Sequence, residues 1–212
     1  SGREIKELLA VAGAPCESAE GAAVRVSVYK HVLELLEGGD VSSKMGSELL
    51  GFLLMEVEFL PPSAVVELAQ VFVDAVKSGN VTNTKSLDLF SKLLSSLASR
   101  ETVSYGNGNQ MTGAECKSHI LNSLCSSRWD SSCVIHLAAV FRDIPTTNDE
   151  LKFVMEKILR SFRHVDLQEL PPLVYQLLLL STKGFKRLVL EGITSYFAEQ
   201  DQTVKQQESE QR

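Results

Sequence analysis

The sequence has 212 residues, of which 44% are hydrophobic and 23% charged, with a formal net charge of −6. That length allows one large domain or a short repeat array, and the apolar content excludes a wholly disordered chain. The acidic balance excludes a stand-alone basic nucleic-acid module, because phosphate affinity comes mainly from Lys and Arg.

In chain order, residues 22–37 and 42–59 read as two helices separated by Gly38-Gly39-Asp40. Pro61-Pro62 opens the next helix, with Val65, Leu68, Ala69, Phe72 and Val76 on one stripe and Gly79 as a stop. Asn80-Val81-Thr82 matches a glycosylation sequon and reads as a turn. From Ser86 onward, Leu87, Phe90, Leu94 and Leu97 repeat the helical spacing. The segment 101–111 reads as an exposed loop. Thr112 and Glu115 form a capping box, in which each residue's side chain satisfies a backbone donor of the other. This box opens a helix carrying Ile120, Leu121 and Leu124. Asp130 is placed to cap SSCVIHLAAVF, with Trp129 anchoring the turn, and Pro145 follows as a break.

The segment 148–163 is the plainest helix, with Leu151, Val154, Met155, Ile158, Leu159 and Phe162 on one face and Thr147–Glu150 as a second capping box. In 172–182, an apolar residue stands at nearly every position, including four consecutive leucines, Leu177 to Leu180. The pattern predicts a helix buried all round, so that Leu178→Asp should unfold the C-terminal repeats. Phe185 to Gln200 reads as a last helix. The polar stretch 199–212 reads as a disordered tail or linker.

Helix pairs recurring about every 40 residues predict an all-α fold of antiparallel pairs stacked as a HEAT- or armadillo-like α-solenoid over 1–198. A compact helical bundle is the alternative, and no strand signal competes. Cys16, Cys116, Cys125 and Cys133 contain no C-x-x-C pair and read as reduced thiols of an intracellular protein. Neither a signal peptide nor a membrane-length apolar run is evident, so no membrane partner is expected. The opening Ser1-Gly2 reads as a remnant on an excised piece.

Candidate chemistry is sparse. Cys116-x-x-His119 and Cys133-x-x-His136 each place two zinc-ligand types on one helix face, and four such ligands could close a tetrahedral site. The competing reading makes the cysteines small core residues and the histidines rim groups. Gly106-Asn107-Gly108-Asn109 lacks the strand before it and the G-K-[ST] ending of a phosphate loop, and reads as a turn. No catalytic set is grouped. Lys183, Lys186 and Arg187, with Arg160, Arg163 and His164 on a nearby helix end, could converge as a basic strip on a phosphate backbone. Ordinary charge at helix C-termini is the competing reading.

LPPLVYQLLLLSTKG followed by LEGI, LCSSRWD with VIHL, GAECK, and GSELLGFLLMEVE resemble the amino-terminal part of the Fanconi anaemia group I family, with softer likeness in VELAQVFVDAVKSG and TKSLDLF. The resemblance covers most of 14–198. It implies a non-catalytic nuclear scaffold of helix pairs that supports DNA interstrand-crosslink repair and needs no cofactor. It also implies pairing with the paralogous Fanconi anaemia group D-two protein, binding to branched or double-stranded DNA, and monoubiquitination by a dedicated ligase at a lysine beyond these residues. The alternatives are a zinc-stabilised helical module using Cys116, His119, Cys133 and His136, or a generic protein-interaction solenoid with no DNA role.

Overall fold

The computed structural model describes residues 19–38, 43–79 and 86–210. Cys16, the sequon 80–82, Gly39-Asp40 and Ser1-Gly2 lie outside them. The described residues form nine α-helices, three short 3-10 turns and one two-stranded hairpin. They divide into two compact units, Ser1–Trp129 with Asp143–Pro145, and Asp130–Arg142 with Thr146–Arg212.

The first unit contains α1 (Ala19–Glu37), α2 (Ser43–Glu56) with a 3-10 turn over Val57–Phe59, α3 (Pro62–Lys77), α4 (Ser86–Ala98) and α5 (Gly113–Ser126). Each helix packs on the next, apart from α2 and α3, and on the next but one: α1 on α2 and α3, α2 on α4, α3 on α4 and α5, α4 on α5. That pattern is what stacked helix pairs require, since each pair covers the apolar face of its neighbour. Helix α3 starts on its prolines and ends at Gly79, whose φ of 70° suits glycine. It buries Ala64, Val65, Leu68, Ala69, Phe72 and Val73, two adjacent residues in each turn. Phe72 meets Phe90 of α4 at a ring separation of 5.5 Å. The hydroxyl of buried Tyr29 donates to the Leu53 carbonyl oxygen at 2.8 Å and ties α1 to α2.

The expected loop at 101–111 is instead an antiparallel hairpin, β1 (Val103–Tyr105) and β2 (Asn109–Met111), paired Val103 with Met111 and Tyr105 with Asn109. Strands of three residues are too short to show alternation. The turn chemistry was nonetheless present, because Gly106 and Gly108 take φ values of 64° and 84° around Asn107. The Thr112–Glu115 capping box then opens α5, with Glu115 N–H donating to Thr112 Oγ1 at 3.2 Å and Thr112 N–H to Glu115 Oε2 at 2.9 Å. Buried Trp129 closes the unit by donating its indole N–H to the Leu124 carbonyl oxygen at 2.9 Å. Buried Lys117 donates to the Pro145 carbonyl oxygen and holds 143–145 against α5.

The second unit contains α6 (Ser131–Val140), α7 (Asn148–Ser161) with a 3-10 turn over Phe162–His164, α8 (Leu170–Leu180) with a 3-10 turn over Ser181–Lys183, and α9 (Lys186–Glu210). Again neighbours and next-but-one neighbours pack: α6 on α7 and α8, α7 on α8 and α9, α8 on α9. Asp130 occupies the N-cap position of α6, but its side chain makes no capping hydrogen bond. Thr147 and Glu150 do form the expected box at α7.

Two expectations about this unit change. Helix α8 is not buried all round. Leu170, Leu173, Leu177 and Leu180, spaced three and four apart, are buried, while Tyr175 is 60% and Leu178 38% exposed. A helix packed on α6, α7 and α9 still has a side left over, and an all-leucine run does not reveal which side it is. The segment 199–210 is not irregular but continues α9, with residues 200–207 and 209 exposed. Gln, Glu and Lys are good helix formers, and elongating a docked helix avoids the cost of a new nucleus.

Candidate functional site

The basic residues are placed by the run of α7, α8 and α9. Helices α7 and α9 are parallel, because the residues that meet advance together along both. A Cβ on Gly184 would lie 3.7 Å from Leu151 Cδ2, and one on Gly192 would lie 2.7 Å from Leu159 Cδ1. Tyr196 meets Phe162 edge-on at 5.4 Å, and Arg163 pairs with Glu199 at 3.0 Å. Lys183, Lys186 and Arg187 therefore lie beside the start of α7, while Arg160 and Arg163 lie at its end. Nine residues of helix separate Leu151 from Arg160, about 14 Å. The expected convergence into one strip does not occur; there are two basic groups.

Within each group, part of the charge is already engaged. Arg187 Nε donates to Glu191 at 2.6 Å, one turn along α9. Lys183 donates to the Phe141 carbonyl oxygen at 3.1 Å, placing an ammonium on the negative end of α6. Arg160, Lys186 and His164 are exposed. Both ion pairs, Arg187–Glu191 and Arg163–Glu199, are solvent-exposed, so each is weakly held and open to exchange with a phosphate.

The zinc arrangement does not assemble. Among the described residues, no group of three or more His, Cys, Asp or Glu side chains could hold a metal ion. Cys116 and Cys133 are buried, and His119 and His136 are exposed, as the competing reading expected. His119 stacks on Tyr105 of the hairpin at 5.7 Å. Burial pushes the Cys116 thiol up to about 11 and also raises that of Cys133. A zinc ligand must instead lose its proton readily.

The first unit has an open groove of about 830 Å³, lined by Leu54, Met55, Glu58, Lys92, Ser95 and Asp143 among others. Lys92 pairs with Glu58 at 3.2 Å, and Ser95 Oγ donates to the Asp143 carbonyl oxygen at 3.3 Å. The Ser95 hydroxyl thus meets a main-chain acceptor, and Ser91 and Asp88 also line the groove. Composition gave no sign of this groove, since it depends on how α2 and α4 are spaced. Among the described residues, no helix is long and apolar enough to cross a membrane.

The model of the family described as FANCI solenoid 1 matches residues 22–212. The chain belongs to the Fanconi anaemia group I family. It is 50% identical over 214 residues to the Fanconi anaemia group I protein of Gallus gallus, covering 100% of this chain and 16% of that relative. It is 39% identical over 210 residues to the Fanconi anaemia group I protein homolog of Mus musculus, covering 98% of this chain and 16% of that relative. The chain therefore spans about one sixth of the length of these curated relatives, as a solenoid scaffold segment of this Fanconi anaemia group I family.

Proposed function

We propose that this chain is a non-catalytic scaffold segment of a nuclear DNA interstrand-crosslink repair protein. In the longer protein it contributes to pairing with the paralogous Fanconi anaemia group D-two protein and to binding DNA, while monoubiquitination by the ligase machinery falls elsewhere in the chain. The observation that carries this reading is the family match over 22–212, together with helices that pack on neighbours and next-but-one neighbours within each unit. Two separate basic groups suit two separate phosphate contacts, with Lys186 and Arg187 in one and Arg160 and Arg163 in the other. Lys183 lies beside the first group, but its bond to Phe141 also supports the fold.

The test is a gel-shift salt series on the full-length protein with its paralogous partner. Replacing Lys186 and Arg187 by Gln, and separately Arg160 and Arg163, should weaken binding to duplex and branched DNA alike. Each phosphate deprived of its cation should flatten the slope of log K against log salt by about 0.9. Unchanged affinity and slope in both variants, with partner capture intact, would leave the segment a protein-docking surface without a DNA role.

A further inference from the structure

The groove of the first unit has one apolar wall and one polar wall. Leu54 and Met55 of α2 supply the first, and Met55 is 75% exposed. On α4, Asp88, Ser91 and Ser95 recur at three- and four-residue spacing and share the face that forms the second. Asp88 and Ser95 lie about 10 Å apart along the helix axis. Lys92, between them on α4, pairs with Glu58 at 3.2 Å. Asp143 stands beside Ser95, whose hydroxyl donates to its carbonyl oxygen at 3.3 Å.

Two kinds of group on the polar wall are left open. Ser91 is 7% exposed and lines the groove, yet among the described residues its hydroxyl has no hydrogen-bond partner. A hydroxyl so enclosed costs stability unless something entering the groove bonds it. Asp88 and Asp143 are exposed, and among the described residues no cation is paired with either carboxylate. The lining thus sets three carboxylates against the one ammonium of Lys92, which Glu58 already engages. Such a surface repels phosphate and attracts Lys and Arg. Arg100, in the cleft that adjoins past Ser95, donates to the Glu58 carbonyl oxygen at 3.3 Å and to Ser96 Oγ at 3.2 Å, not to the aspartates.

We propose that this groove docks an extended, basic segment of a partner protein. Its arginines or lysines meet Asp88 and Asp143, an apolar side chain between them rests on Leu54 and Met55, and its main chain bonds the Ser91 hydroxyl. A helix would keep its main-chain groups to itself, whereas an extended chain presents a carbonyl oxygen to Ser91. Alternate side chains of an extended chain share a face, so basic residues two positions to either side of the apolar one all point into the groove. That pattern spans about 13 Å, and flexible basic side chains take up the difference from the spacing of the aspartates. Nothing in it depends on the phosphate contacts proposed for the second unit.

The test is fluorescence anisotropy with a labelled heptapeptide that has a central leucine and an arginine two positions to either side, added to the 212-residue chain. It should bind saturably, while the same peptide with glutamates for the arginines should not. Asp88→Asn together with Asp143→Asn should weaken binding at least about five-fold, an effect that shrinks as salt is raised. Asp149→Asn with Asp201→Asn, which changes the net charge equally on exposed positions of the second unit, should leave it unchanged. Ser91→Ala should weaken binding without lowering the urea midpoint, which a merely structural hydroxyl would lower. Should the Asp88/Asp143 variant lose helix content, a benzophenone in place of the peptide's leucine reports on the wild type, where it should crosslink to Leu54 or Met55. No saturable binding, equal binding of the glutamate peptide, equal affinity in the folded aspartate variant, or crosslinks only outside the groove would each overturn the proposal. So would a labelled DNA duplex bound more weakly by the aspartate variant than by the wild type, which would make the groove a nucleic-acid contact.

Discussion

A methyl group on Gly113 would run into the Leu97 carbonyl oxygen and sit 2.7 Å from that of Arg100. Backbone, not a flexible side chain, stands in the way, and Gly113 N–H already donates to Arg100 at 2.9 Å. Gly113→Ala should therefore destabilise by about 1–3 kcal/mol. Thermal unfolding followed by circular dichroism should show a clear drop, larger than for Gly192→Ala, where only the Leu159 side chain must yield. At the start of α7, Thr147→Ala removes an acceptor from the Glu150 backbone N–H and should cost about 1 kcal/mol in urea unfolding. The Cys116 thiol gives a pH signature. Burial raises it from the ordinary thiol value to about 11 in the folded chain. Above the ordinary value the unfolded chain loses this proton while the folded chain keeps it, so the unfolded state is favoured. Stability should be level below that value and decline as pH rises from there towards about 11. Cys116→Ala should show a shallower decline in its urea midpoint over that range. The Cys133 thiol, raised mainly by burial, leaves part of the slope.

In α8, Leu177 and Leu178 are adjacent and chemically identical, yet Leu177 is fully buried and Leu178 38% exposed. Leu177→Ala should cost about 2–5 kcal/mol. Leu178→Asp should keep the fold and cost well under half of what Leu177→Asp costs, the reverse of the sequence expectation for position 178. Urea melts of the three variants decide it, and comparable losses for the two aspartates would restore the all-round burial. What was legible follows from range. The Thr112–Glu115 and Thr147–Glu150 boxes close within four residues, and the α7 stripe needs only its own periodicity, so both could be read directly. The face of α8 depends on α6, α7 and α9, and four leucines in a row carry no phase. The two basic groups depend on the parallel run of α7 and α9, which sequence spacing does not encode. Hence the sequence shows which basic residues are present but not that they stand in two groups. The hairpin signal lay in Gly106-Asn107-Gly108, outweighed by strands too short to alternate.

Within each unit, packing between neighbours and next-but-one neighbours makes stability close to a sum of local terms. A defect should then spread through its own unit and weaken with distance along the chain. Leu177→Ala leaves a gap where α8 packs within the second unit, so amide exchange should accelerate first in α6, α7 and α8. The first unit has its own buried set in α3 and α4, including Leu68, Leu87, Phe90 and Leu94, none of which changes. Its amides should keep their protection in mass-spectrometric hydrogen exchange at low denaturant, where regional openings are distinguishable from global unfolding. Equal acceleration across α3, α4, α7 and α8 would mean that the chain opens as one cooperative body. The summed, nearest-neighbour energetics argued from the helix pairs would then fail, even with every helix in place.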